Sequence, residues 1–421
     1  MPTPKCILFP VLLLLCFLVG GQTQKLYRKQ LYTLHKWNDL SLSFPPKIEQ
    51  FRSSLSGHFL PVDVDIEYGD EGRHRTFLTI PRLSLATPYT LAIVAASDND
   101  VVDNPRLEPY PSADWHFLNA NCSGITSAIR TFIDECWRLW VVDSGQVNSL
   151  QVCAPQILTF DLVTDVLVHR YTLPGHIYTP SVSIFTALVV DIPASGARTK
   201  CLGGKAYIAD AWGYGLIVYD ALTDRSWRIE HELMMPEGMR RFGTALAGIF
   251  TVSLSPRQAA VRHLYFHTLN SFNEIVIPLS LVNNASYWRS DTNSIGKGFR
   301  ALGTRGTHCE SEVMDSAGNL YCSLISLGSL ISWKENENYT ADNIRAVAYN
   351  PEQLKFVTGL KVNRNSKGED ELWALSSEPK LFVGGALDAN EVKFQIIGCR
   401  TLDLLGNTPC KVGSMRTQPQ P

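Results

Sequence analysis

Two aspartates, Asp143 and Asp210, each directly follow a recurring aromatic strand, in RLWVVDSG and KAYIADAWG. Facing a shared interior, such a pair would hold a cation or an ammonium group. In the turns where they stand, they would instead accept backbone N–H bonds, the ordinary use of Asp there and the expectation here. His263 and His267 are four apart. On a strand that spacing is about 13 Å, too far to share a metal, so one surface and one packed histidine are expected. Trp140, Trp212, Phe250 and Trp373 would attract a cationic or aromatic ligand if they lined a pocket. Aromatics on repeated strands more often build core. No GxSxG, HExxH, P-loop, EF-hand loop or GxGxxG occurs, and Gly213-Tyr214-Gly215 reads as a tight turn. The spacing therefore singles out no catalytic residue and calls for no metal and no cofactor.

The elements that must position any such site come as a repeat. Six segments read as an apolar run, an acidic or Gly-containing turn, and a short strand with an aromatic residue. Their aromatics are Phe77, Trp140, Tyr207, Tyr265, Tyr321 and Trp373, spaced 63, 67, 58, 56 and 52 positions apart. Strand-rich units recurring at such a period are the blades of a β-propeller. The expected fold is all-β, one six-bladed β-propeller spanning residues 22–410. Its channel mouth is the default place for a ligand.

Local patterns agree. Val62, Val64 and Ile66 alternate with Asp63, Asp65 and Glu67, the period of a half-buried strand. QILTFDLVTDVLVHRYTL and GLIVYDALTDRSWRIEH are hairpins turning at Thr164-Asp165 and Thr223-Asp224. Leu31 to Trp37 is a strand or short helix, and Pro45-Pro46 breaks any helix that follows. Phe394 to Cys399 is strand-like and expected to close the ring against the first blade. The polar tail 411–421 is expected to be disordered.

The apolar stretch from Cys6 to Val19 follows one early charge, Lys5, and precedes Gly20-Gly21. It is short for a membrane span and reads as a signal peptide, residues 1–21, which makes the protein secreted. With 45% hydrophobic residues the chain can bury a large core, and its net charge of −2 includes no basic stripe. Nucleic acid and membrane are therefore not expected as partners. Removing the signal peptide leaves eight cysteines: Cys122, Cys136, Cys153, Cys201, Cys309, Cys322, Cys399 and Cys410. An even number in a secreted chain points to disulfides, though the sequence fixes no pairing. Sequons at Asn284 and Asn338 suit surface glycans. That at Asn121 runs through Cys122 and is compromised if this cysteine is bonded.

Longer stretches carry a resemblance. DECWRLWVVDSGQV, PQILTFDLVTD, KAYIADAWGYGLIVYD, LYFHTLNS and LGTRGTHCESEVMDSAGNLY resemble the yellow / major royal jelly protein family of insects. The likeness runs from about Trp37 to Trp373 and on towards the last cysteine. It implies a secreted six-bladed propeller. Members of that family serve cuticle melanin patterning, convert dopachrome, act as food proteins, or bind biogenic amines in saliva. The first function implied is a role in melanin pigmentation, with dopachrome tautomerisation of a small indole or catechol in the channel. That reaction moves a carbon-bound proton, so a base and an acid of near-neutral pKa suffice. The alternatives are a non-enzymatic extracellular binder of biogenic amines and a structural or signalling protein, in each case expected as a monomer.

The amine-binding branch implies Thr358 in FVTGL and, in LWALSSEP, Ser377 and Pro379 as ligand positions. The last two replace an Asn and an aromatic residue, which counts against tight amine binding. The resemblance also implies a Cys136–Cys201 disulfide. The family's Cys-Trp pair near the fifth blade is Ser332-Trp333 here. The C-terminal cysteine is therefore expected to lack a partner or to find Cys322 or Cys309.

Overall fold

The six marker aromatics occupy one equivalent place, the second strand of each of six sheets. In the computed structural model these are blade 1 (Asp63–Tyr68, His74–Thr79, Leu91–Val94, Arg106–Pro109) and blade 2 (Ala128–Ile133, Arg138–Asp143, Gln156–Asp161, Val166–Thr172). Blade 3 comprises Phe185–Asp191, Lys205–Asp210, Gly215–Asp220 and Arg225–Glu230; blade 4 comprises Ile249–Leu254, His263–Thr268, Asn273–Pro278 and Arg300–Thr304. Blade 5 comprises Cys309–Met314, Asn319–Leu324, Ser329–Lys334 and Arg345–Tyr349. Blade 6 comprises Phe356–Arg364, Asp370–Ser377, Phe394–Arg400 and, from the far end of the chain, Tyr32–Trp37. The short strand Ser41–Leu42 adds in parallel to the outer edge of blade 1. The structure describes residues 16–19, 22–25, 28–43, 59–69, 74–117, 121–192, 201, 203–237, 247–288, 298–325, 327–383, 391–406 and 408–413.

The fold is the six-bladed propeller expected from the repeat. The repeated aromatic is required because the space between blades widens outward and the second strand is covered on both faces. All six rings are at most 3% exposed. Each of six apolar clusters straddles one blade boundary: Phe77 and Leu91 meet Leu139 and Leu158, and Tyr207 and Val218 meet Leu264 and Phe266. At the boundary of blades 6 and 1, Trp37 and Trp373 pack on Val64 and Leu78. Gly398 makes room for Trp373, since a Cβ there would lie 2.4 Å from the indole Cε3. Both Thr-Asp hairpins form as expected, with Asp165 and Asp224 at φ of 55° and 52°, a left-handed conformation that Asp tolerates.

Ring closure differs from the expectation. Phe394–Arg400 is the third strand of blade 6 and pairs with no strand of blade 1, although Phe394 and Ile396 share the apolar cluster at that boundary. Tyr32–Trp37 pairs with it instead, Trp37 opposite Phe394, and so the N-terminal segment completes the last sheet. Lys29 reinforces this join. Its ammonium bonds the carbonyls of Leu404 (3.2 Å) and Gly406 (3.0 Å) at the C-terminal end of the short helix Thr401–Leu405. Of the segment read as a signal peptide, Cys16–Val19 is described as backbone, paired with Gln22–Lys25 in a separate two-stranded sheet; the rest lies outside the described residues. The tail starts bonded: the Lys411 carbonyl accepts from Arg400 N (2.9 Å), and Gly413 N–H donates to Glu371. Residues 414–421 lie outside the described ones.

Four disulfides form: Cys122–Cys153, Cys136–Cys201, Cys309–Cys322 and Cys399–Cys410. The second is the one the resemblance implied. The C-terminal cysteine corrects the expectation. Cys410 neither lacks a partner nor takes Cys309 or Cys322, because the chain turns back through the short helix and brings it to Cys399. The Cys136–Cys201 bond closes 65 positions of chain, which in the chain-entropy picture stabilises by about 4 kcal/mol. Replacing both cysteines by serine is expected to lower the urea-unfolding free energy by roughly that amount. A change under about 1 kcal/mol would show that blade packing alone holds this region.

Candidate functional site

The inner strands of the six blades touch in a closed ring. They enclose a cavity of about 380 Å³ lined from every blade, by Asp65, Phe132, Leu188, Val252, Glu312 and Lys361 among others. This lies within the roughly 300–1,000 Å³ of small-molecule sites.

Inner strands are covered on both faces, so their polar residues are buried among neighbours. On blade 1 this overturns the reading of Asp63, Asp65 and Glu67 as the solvent side of a half-buried strand. All three are buried, the first two at 1% exposure. Such burial requires partners. Asp63 Oδ2 lies 3.0 Å from Lys361 Nζ and accepts the Thr131 N–H at 2.9 Å. Asp65 Oδ2 accepts the Thr131 hydroxyl at 2.6 Å and lies 3.8 Å from Lys361 Nζ. Arg130 Nη1 approaches Asp63 at 3.5 Å and donates to the carbonyls of Val62 (2.6 Å) and Thr358 (2.7 Å). Burial pushes the Asp65 carboxyl up to about 6, with Asp63 adding to the rise and Lys361 opposing it. Burial also lowers the Arg130 guanidinium, against the pull of Asp63. Gly359 permits the close seam between blades 6 and 1, because a Cβ there would fall 2.7 Å from Asp63 Oδ1.

A second buried network joins blades 4 and 5. His267 Nδ1 lies 3.0 Å from Glu312 Oε2 and 3.2 Å from Glu274 Oε2, and Arg305 Nη1 reaches Glu274 Oε2 at 3.0 Å. Burial and Arg305 pull the His267 pKa down, but the two carboxylates outweigh them and raise it. Glu312 is held below its usual range, since His267, Arg305 and the Thr251 hydroxyl overcome burial. Glu274 and Glu312 thus face Arg305 and His267, and the two carboxyls favour the protonated form of the imidazole. His267 is the packed histidine anticipated on its strand, and His263 is partly exposed.

Glu310, two residues before Glu312, has no such partner. Its Oε1 accepts from Val357 N–H (2.6 Å) and the Ser323 hydroxyl (2.9 Å), while its buried Oε2 has no hydrogen-bond partner. Burial, only partly offset by these two bonds, pushes it up to about 8.

Thr358 lines the cavity. The pairing of blade 6 skips it, Val357 facing Ser376 and Gly359 facing Leu375, and its hydroxyl is buried without a partner. Ser377 is fully buried opposite Phe356, behind the inner strand, and does not line the cavity. Pro379 is exposed beyond the strand end. Asp143 and Asp210 are turn residues as expected. Asp143 accepts the N–H groups of Thr126 (2.8 Å), Ser127 (2.7 Å) and Gly145 (3.0 Å); Asp210 accepts those of Ile184 (3.1 Å) and Gly213 (2.9 Å) and pairs with Arg228. Trp140 and Trp373 are core, whereas Phe250 reaches the cavity. The charged wall residues Asp65, Arg130, Glu312 and Lys361 escaped the motif search. Yet each stands 9 to 12 positions before a marker aromatic, the offset of the inner strand. Aligning the repeats on that offset is the signal that would have found them.

A Drosophila melanogaster protein named dopaminechrome tautomerase is 28% identical over 400 residues, covering 90% of this chain and 84% of that one. The protein yellow of Drosophila subobscura is 30% identical over 417 residues, covering 95% and 70%. Among solved structures, a calcium-binding regucalcin from Agrobacterium tumefaciens superposes with a TM-score of 0.46 at 10% identity, covering 88% of this chain and 94% of that one. A likeness that low adds nothing to the fold read from the strands. The sequence pattern described as Major royal jelly protein matches residues 126–410, and with two thirds of its length so matched, this chain belongs to the yellow / major royal jelly protein family.

Proposed function

We propose that this is a secreted pigmentation-pathway protein whose axial channel binds a small catechol-derived indole quinone, such as dopaminechrome or dopachrome, and tautomerises it. The observation that carries the reading is Asp65, a carboxyl in the channel wall pushed up to about 6. A general base works best with a pKa near the working pH, and at neutral pH Asp65 is ionised and able to take a proton from carbon. The likeness to a dopaminechrome tautomerase over 90% of this chain supports the substrate class. Four disulfides suit an oxidising compartment, as does the segment 1–21 read as a signal peptide. Asn284 and Asn338 are exposed as glycan sites should be. Asn121 is exposed too, but its sequon passes through disulfide-bonded Cys122. No helix among the described residues is long and apolar enough to cross a membrane. The protein is proposed to act as a monomer on this small molecule.

The test is the decay of dopaminechrome and dopachrome with purified folded protein against a heat-inactivated control. Accelerated decay to the dihydroxyindole is expected. Decay at the control rate would overturn the enzymatic reading.

One observation favours a second reading, non-enzymatic binding of a biogenic amine: the Thr358 hydroxyl is partnerless in the channel wall. On that reading Thr358→Ala removes one hydrogen bond and weakens amine binding about 5-fold. Calorimetric titration with serotonin or dopamine checks this, and unchanged affinity would remove the residue-level support.

A further inference from the structure

Three polar groups on channel-lining residues lack hydrogen-bond partners, and hydrogen bonds to one stretch of blade 6 backbone link the residues that carry them. Glu310 carries a neutral carboxyl at neutral pH, since burial pushes it up to about 8 and no cation bonds it. Its Oε1 already accepts two hydrogen bonds. A protonated carboxyl held in this way carries its hydrogen on the other oxygen. That oxygen, Oε2, is buried and has no partner in the protein. The Thr358 hydroxyl and Arg130 Nε are likewise buried and partnerless. The backbone of blade 6 ties the three together. Val357 N–H binds Glu310, the Thr358 carbonyl binds Arg130 Nη1 at 2.7 Å, and Thr358 is the bulged residue between the paired neighbours Val357 and Gly359. All three residues line the cavity. Buried donors are almost always satisfied, so three unsatisfied ones on residues linked through one bulge leave donor capacity suited to an oxygen that gains negative charge.

We propose that Glu310, Thr358 and Arg130 form the oxygen-binding site of the channel, with Glu310 as the acid that protonates a quinone oxygen of the substrate. The proposal rests on the tautomerase reading and deepens it. Converting an aminochrome to a dihydroxyindole shifts two protons in succession, each from a saturated ring carbon to a quinone oxygen. In each shift the C–H bond breaks and its proton goes to the Asp65 carboxylate. The electron pair becomes a ring C=C bond, and the quinone C=O becomes C–O. Thr358 and Arg130 hold that oxygen as charge develops, the arrangement that stabilises such a transition state, and it takes the Glu310 proton. Exchange with solvent returns a proton from Asp65 to Glu310. The substrate is isomerised, and neither oxidant nor reductant is consumed.

Charged groups sharing the channel with Glu310 include Glu312, which pairs with His267 behind the wall, and the cluster of Asp63, Asp65, Lys361 and Arg130; Asp134, Glu135, Asp191, Arg257, Arg262, Asp315, Arg364 and Asp370 also line it. The wild-type rate should therefore fall along an alkaline limb near the Glu310 value, about 8. Glu310→Gln keeps shape and neutrality and removes the transferable proton. The expected result is a loss of about 100-fold in kcat, little change in KM, and no alkaline limb. Thermal unfolding confirms that the variant is folded. Should it fail to fold, the wild-type pH profile and Thr358→Val decide. Absence of an alkaline limb between pH 7 and 9, or Thr358→Val within 2-fold of wild type, overturns the proposal. Folded Glu310→Gln within 2-fold of wild type and still showing the limb overturns it while leaving the tautomerase reading intact. Inactive wild-type protein overturns the reading itself.

Discussion

Replacing Arg305 by methionine is expected to destabilise the protein by about 3–5 kcal/mol, the range for removing one partner of a buried charge network. Arg305 is 1% exposed and donates to Glu274 Oε2 (3.0 Å) and the Ser271 carbonyl (3.0 Å). Without it, Glu274 and Glu312 compete for the single imidazole of His267 at 3.2 and 3.0 Å. One carboxylate must then stay charged without a cation or take up a proton. Glu274 is the one to protonate, because burial and Glu312 already push it up to about 7. The variant should accordingly be least stable at high pH, where that proton is lost, and recover part of the deficit as pH falls below about 7. Urea unfolding at pH 6 and pH 8.5 checks both statements. A loss below about 1 kcal/mol at both pH values would mean that this network contributes little to holding blades 4 and 5 together.

Asp65→Asn should have the opposite signature: lost activity with retained stability. As general base, Asp65 is expected to contribute about 10²–10⁴-fold to the rate of dopaminechrome conversion. The variant should lose at least the lower figure in kcat/KM, and with it the acid limb near the Asp65 value, about 6. Stability behaves differently because burial raises the folded pKa above the ordinary aspartate value of 3.8. Below pH 4 the carboxyl is protonated in both states and its contribution is fully present. From about 4 to 6 the folded state holds a proton that the unfolded chain has released, so this contribution is lost as pH rises. At pH 7 the wild type bears the cost of an ionised, desolvated carboxylate, which a neutral side chain removes. Steady-state rates across pH 5–9 and urea unfolding at pH 7 test the two halves. Full activity would remove Asp65 from the mechanism, and unfolded protein would make it structural.

The contrast between these variants reflects two kinds of buried acid on the inner strands that line the channel. Glu312 is charge-balanced and serves the seam between blades. Asp65 and Glu310 sit where burial outweighs their partners, and their pKa values are driven upward to different extents. Pairs of groups separated in this way are where acid and base roles divide. Thr358 and Arg130 complete the same wall with donors the protein leaves without acceptors.

The amino-acid sequence by itself determined the blade count, because each blade needs one large aromatic in its second strand to fill a widening wedge, and that need repeats through the chain. It also determined the Thr-Asp hairpins and the turn roles of Asp143 and Asp210, since these depend on contacts a few residues apart or within one sheet. The tertiary structure alone decided how the ring closes. Tyr32–Trp37 and Phe394–Arg400 lie at opposite ends of the chain, and no local pattern says that they pair. It also decided the Cys399–Cys410 bond, which depends on a reversal of the chain after Arg400. Above all it decided the channel wall. The alternation in VDVDIEY looks half-exposed because period-two pattern reports only that two faces differ, not that one meets water. In a propeller the inner strand is covered on both faces, and only the ring of six strands brings Asp65, Arg130, Glu310 and Thr358 around a single cavity.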